Sequence, residues 1–170
     1  GVEATRQPIR SGLSAVRKLR DQLSLMNLSD EAQYEIDFRL AQKEAQFERA
    51  LLLAHEIKLE ALADDGVVTA GQLVQVSTFV ANRGNADINV RGVTFNGFDN
   101  SGIGCQADVV DGESVYSCDS QLRIPADAAS TTPYFERLPD AARYVFKSDV
   151  RFGAAFEPSP FSVTFSIEFD

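Results

Sequence analysis

Apolar residues in the first third of the chain recur every three or four positions. Ile9, Leu13, Val16, Leu19, Leu23 and Met26 fall on one stripe of a helix. Asn27 to Ser29 break the pattern, and Ser29 followed by Asp30 and Glu31 has the form of a helix start, with a capping hydroxyl and carboxylates beside exposed backbone amides. A second, longer helix is therefore predicted. Ile36, Leu40, Phe47, Leu51 and Ala54 form one of its rows, and Tyr34, Phe38, Ala41, Ala45 and Leu52 form the adjacent one. Two helices joined by so short a break pack antiparallel, as a helical hairpin. A pair this small cannot bury both apolar rows by itself. The leftover row needs the rest of the chain, which makes the pair a packing appendage, or it needs an outside partner in a coiled-coil-like contact.

From residue 57 the period falls to two. Ile57 to Ala63 fits either a helix extension or a strand and is read as a strand; Asp64-Asp65-Gly66 is a turn and Val67-Val68 a short edge. In the run Leu73 to Val80, Val74, Val76, Thr78 and Val80 alternate with Leu73, Gln75, Ser77 and Phe79, as in a central strand. Asn82 to Asn85 turn the chain. Next, Ile88, Val90, Gly92 and Thr94 are assigned to one face and Asn89, Arg91, Val93 and Phe95 to the other. Further strands are predicted at Ala107 to Val110, Ser114 to Ser117, Gln121 to Ile124 and Tyr144 to Phe146. Phe161 to Phe169 alternates aromatic or branched residues with Ser, Thr and Glu, the mark of a half-buried strand. About seven short strands with frequent turn signals predict an antiparallel β-sandwich of immunoglobulin or fibronectin type. The fold class is thus α+β, with a helical hairpin over residues 1–56 and a β-sandwich over 57–170.

Composition sharpens this division. The first 62 residues carry 9 basic and 10 acidic side chains and the remaining 108 carry 7 and 15, so almost all of the net charge of -9 lies in the second part. An acidic surface repels a phosphate backbone, which argues against nucleic acid as a partner. No apolar run approaches the roughly 18 residues of a membrane span.

Parts for chemistry are few. His55 is the only histidine, so a Ser-His-Asp triad would have to use it, and a zinc site has no ligand cluster to draw on; at the end of a helical pattern it reads as a capping residue. Asp64-Asp65 before Gly66 reads as a turn, not a metal-binding pair. Asp99, Asn100, Asp108 and Asp111 offer oxygen ligands for calcium but without EF-hand spacing. Neither a metal nor a cofactor is expected, nor catalysis by this chain. Cys105 and Cys118 bracket a Gly- and Asp-rich segment and are read as a disulfide, which implies an oxidising compartment. Thr132 to Pro139 is an aromatic, Pro-bracketed loop read as a packing loop. Its alternative is a sugar-stacking surface in which Tyr134, Phe135 and Phe98 are the ligand-binding candidates.

One family is similar. A helical hairpin, then Ala63-Asp64-Asp65-Gly66-Val67-Val68-Thr69-Ala70-Gly71-Gln72, then Val74 to Ser77 and Val80 to Gly84, resembles the accessory region of large bacterial LmbE-like deacetylases of the PIG-L type, with a NEW3-like β-sandwich. Ser130 to Pro139 with Arg143-Tyr144, and Glu157 to Val163, resemble two further segments of that region. The family's catalytic domain carries a His-Pro-Asp-Asp zinc motif. This chain has no counterpart, since its only histidine is His55 and no His-Pro precedes Asp64-Asp65, and no catalytic residue carries over. The resemblance implies a non-catalytic accessory module of a secreted or periplasmic sugar N-deacetylase whose partners are other domains of the same polypeptide. The alternatives are a carbohydrate-binding module and a structural sandwich that oligomerises through its helices.

Overall fold

The computed structural model describes residues 3–99, 104–133, 135–140, 142–146 and 159–169. Among the described residues, two helices, α1 (Glu3–Leu23) and α2 (Asp30–Ala54), precede eight strands: β1 (Ile57–Ala63), β2 (Leu73–Asn82), β3 (Ile88–Asn96), β4 (Asp108–Val110), β5 (Ser114–Arg123), β6 (Phe135–Arg137), β7 (Tyr144–Phe146) and β8 (Ser162–Phe169). The class is α+β, with antiparallel sheets.

The helix boundaries follow from local chemistry. Ser29 stands in extended conformation before α2, and its Oγ accepts from the Ala32 amide at 3.3 Å, while Asp30 and Glu31 occupy the first turn. The two helices are laced by charge. Arg17 donates to Glu44 at 2.8 Å and Glu48 at 2.6 Å, and Arg20 to Asp37 at 2.9 Å and Glu44 at 2.6 Å. Further along, Gly12 lies so close to the Phe47 ring that a Cβ would meet it at 2.6 Å, and Arg6 Nε donates to the Ala54 carbonyl at 2.9 Å. These contacts descend α1 while they ascend α2. Beneath the charges, Leu13, Leu23, Leu51 and Ala54 are buried.

Three strands form one sheet in the order β1-β2-β5 and three another in the order β4-β3-β8; β6 and β7 pair separately. The buried residues of both three-stranded sheets meet in one cluster: Val74, Val76 and Val80 from β2, Leu122 from β5, and Ile88, Val90, Val93 and Phe95 from β3. At the end of β2, Asn82 is 2% exposed and joins the two sheets. Its Nδ2 donates to the carbonyls of Val110 at 3.1 Å, Asp111 at 3.0 Å and Ala86 at 2.8 Å, and its Oδ1 accepts from the Gly84 amide at 3.1 Å.

Four expectations are corrected. Val67-Val68 forms no strand; the carboxylates of Asp64 and Asp65 accept from the Gln75 and Val67 amides and hold this stretch as a turn. The runs Ser114–Ser117 and Gln121–Ile124 are, but for Ile124, parts of one strand, β5, because Cys118 to Ser120 pair with Val76 to Thr78 of β2 through backbone bonds that need no apolar side chain. Strict alternation fails in β3: the register against β8 shifts between Val90 and Gly92, Arg91 being the extra residue. This bulge turns Val93 and Phe95 to the same buried side as Ile88 and Val90, where alternation had placed them opposite. Finally, Phe135–Arg137, assigned to a loop, is a strand paired with β7.

Candidate functional site

Two places gather side chains that a function could use. The first is the junction between the helices and the sheets. α2 passes into β1 through only His55 and Glu56. The His55 amide donates to the Leu51 carbonyl at 2.9 Å, Glu56 adopts a left-handed conformation (φ 58°), and its carbonyl accepts from the Arg83 amide at 3.1 Å. The space left by glycine at position 84 admits this turn, since a Cβ there would sit 2.7 Å from the His55 carbonyl. His55 is 7% exposed and stacks on Phe169 of β8, centroids 4.1 Å apart. Its Nε2 is buried with no hydrogen-bond partner among the described residues. Burial, and after it the charges of Arg6 and Arg10, hold the imidazole pKa below its ordinary value. Buried against Phe169, the ring serves as a packing element.

Beside it, a groove of about 610 Å³ runs between the helices and the edge strands β1 and β8. Leu13, Leu51, Leu52 and Leu59 face Phe165 and Ile167 across it, with Arg10 and Arg17 at its rim. Arg10 donates to the Phe169 carbonyl at 3.4 Å and Arg17 is engaged by Glu44 and Glu48. This is where the helices cover the apolar edge of the β region: Leu52 and Leu59 pack against the core with Phe165 and Ile167.

The second place is the β6–β7 hairpin. Phe135 is 37% exposed and meets Tyr144 edge-on at 5.3 Å and Phe146 at 6.4 Å; Tyr144 and Phe146 are more exposed still, at 56% and 57%. Of the three residues named for sugar stacking, Phe135 belongs to this hairpin and Tyr134 lies outside the described residues. Phe98 must be withdrawn. It is only 9% exposed and packs on Phe161 at 4.8 Å within the core, so neither of its faces is open to a sugar ring. Tyr144 and Phe146 were missed as ligand candidates, although their alternation in a predicted strand already placed both on one face.

Cys105 and Cys118 form a disulfide, with Cα atoms 6.1 Å apart. Cys118 lies in β5, and Cys105 pairs through its backbone with Val93 of β3, so the bond crosses from one sheet to the other. Thr78 Oγ1 donates to the Cys118 carbonyl at 3.0 Å beneath it. Of the oxygen groups considered for calcium, Asn100 lies outside the described residues, and the Asp108 carboxylate accepts from the Val109 amide at 2.8 Å. Among the described residues no three His, Cys, Asp or Glu side chains gather closely enough to hold a metal ion, and no helix is long and apolar enough to cross a membrane.

No protein-family profile matches the chain, and no curated protein matches it. Among solved structures, it is similar to a Pseudomonas fluorescens alkylpurine DNA glycosylase, AlkC, bound to DNA containing an abasic site analogue. That likeness has 14% identity and a TM-score of 0.31, and covers 64% of this chain and 34% of the other. The chain thus spans about a third of the length of that protein. A likeness this slight carries no argument about fold or activity.

Proposed function

We propose that this chain is a non-catalytic accessory module of an exported sugar N-deacetylase, its helices an antiparallel hairpin and its two main sheets an immunoglobulin-like sandwich. Its task is to pack against and position other domains of the same polypeptide. The observation that carries the exported setting is the Cys105–Cys118 disulfide, a bond tying two sheets across a buried core, which persists in oxidising compartments. The non-catalytic reading is supported by the state of His55, whose ring is closed into the helix–sheet junction against Phe169. The link to deacetylases rests on the segments Ala63 to Gln72 and Val74 to Gly84. The complete reading frame of the gene tests it: a His-Pro-Asp-Asp domain in the same frame is expected, and its absence would remove the parent enzyme. Hydrolysis of an N-acetylated sugar by the purified 170-residue chain would overturn the non-catalytic reading.

A carbohydrate-binding module is the second reading, favoured by the exposed rings of Phe135, Tyr144 and Phe146 on one short hairpin. Calorimetric titration with chitooligosaccharides separates the two. Binding lost in Tyr144→Ala would favour the sugar site, and no heat at millimolar ligand would dismiss it.

A further inference from the structure

We infer that α2 pairs with α2 of a second copy of this chain, antiparallel and about a two-fold axis near residues 39 and 40. The inference does not depend on the accessory-module reading. α2 spends one face on α1, through Asp37, Glu44, Glu48 and Leu51, and a different row remains open: Tyr34 is 73% exposed and Phe38 48%, while Ala45 is exposed and Ala41 half-buried. The row has two large residues at one end and two small ones at the other, at spacings of four, three and four. That is the spacing of a helix–helix seam. An antiparallel two-fold sets Tyr34 over Ala45 of the other copy and Phe38 over Ala41, so that each ring fills the space an alanine leaves, on both sides of the axis.

Charge supports the same occupant. On one flank of the row, the register brings Glu31 of one copy alongside Arg49 of the other, at both ends of the seam, and both side chains are exposed. On the opposite flank the carboxylates Asp37, Glu44 and Glu48 would repel a like helix. They are already paired by Arg17 and Arg20 of α1. The hairpin tip fits as well. Leu25, at 85% exposure, and Met26 reach in this arrangement the turn of the second copy that ends α2, while the two β regions lie at opposite ends of the four helices.

The experiment is sedimentation equilibrium on the full chain from about 1 to 500 μM, the range over which a modest helical interface dissociates. A dimer is expected, and Phe38→Glu, a change at an exposed position, should convert it to monomer while circular dichroism stays unchanged. Glu31→Arg or Arg49→Glu alone should raise the dissociation constant about tenfold, and the two together should restore it to within about threefold of the original. A monomer at every concentration overturns the inference. So does a dimer that is indifferent to Phe38→Glu, or one that the double reversal fails to restore.

Discussion

Asn82 shows what one polar side chain can do at the seam of two sheets. Its amide faces three carbonyls and its carbonyl one amide, all at hydrogen-bond distance in a site closed to water. Truncation orphans these groups together, and an unpaired buried polar group costs about 1–3 kcal/mol. Asn82→Ala should therefore lose about 3 kcal/mol in urea unfolding, and Asn82→Asp more, because a carboxylate would face those same carbonyls. A loss below about 1 kcal/mol would mean that water replaces the side chain. His55 makes a different prediction, about pH. Its ordinary pKa is 6.5, and in the folded protein burial, with Arg6 and Arg10, holds it lower. Between those two values the unfolded chain binds more protons than the folded one, so stability rises with pH there and is lost as pH falls from 6.5. The melting temperature should drop from pH 7.5 to pH 5, and His55→Phe should flatten that part of the profile. Asp37 and Glu44, held low by their arginine partners, act further down the scale. An unchanged slope in His55→Phe would assign the acid sensitivity elsewhere.

Among the elements, β3 turns on one inserted residue. Arg91 points to solvent, where it pairs with Glu168, and exposed pairs of this kind are worth at most about 1 kcal/mol. Arg91→Ala should be nearly silent. Deleting Arg91 removes the bulge and leaves Ile88, Val90, Val93 and Phe95, all at most 1% exposed, in strict alternation on one face, with the register against β8 continuous. Near-ultraviolet circular dichroism and a urea titration should show cooperative folding kept in both variants, and its loss in the deletion would mean that the local twist of the bulge, not the parity of the strand, holds this core. The same strand marks how far the sequence could be read. The helix start at Ser29, the inner face of β2 and the alternation of β8 were legible, since each depends on neighbours within a few residues. The bulge was signalled only by a glycine. Continuity of β5 through Cys118, Asp119 and Ser120 depends on pairing with β2, some 40 residues away, which no local pattern reveals. For the same reason Phe98 looked like a surface aromatic until Phe161, far along the chain, covered it.

Over the whole molecule, the two main sheets share one core and one covalent link. In the chain-entropy account, closing the 13-residue separation between Cys105 and Cys118 stabilises by about 3 kcal/mol. The double variant Cys105→Ala, Cys118→Ala should lose about that amount in guanidinium unfolding, and a reductant should have little further effect on it. A loss near zero would mean that the packed sheets hold their spacing unaided. The bond also governs what happens when the backbone is cut. Gly112 and Glu113 sit on the turn that links β4 to β5, inside the loop that the two cysteines close. A protease that severs the chain there leaves both halves in one covalent molecule, running as a single band on a non-reducing gel and as two after reduction. With the β2–β5 and β3–β4 pairings still in register, the nicked protein keeps its fold. In a protease-rich environment, wear on this turn would leave no fragment free to diffuse away.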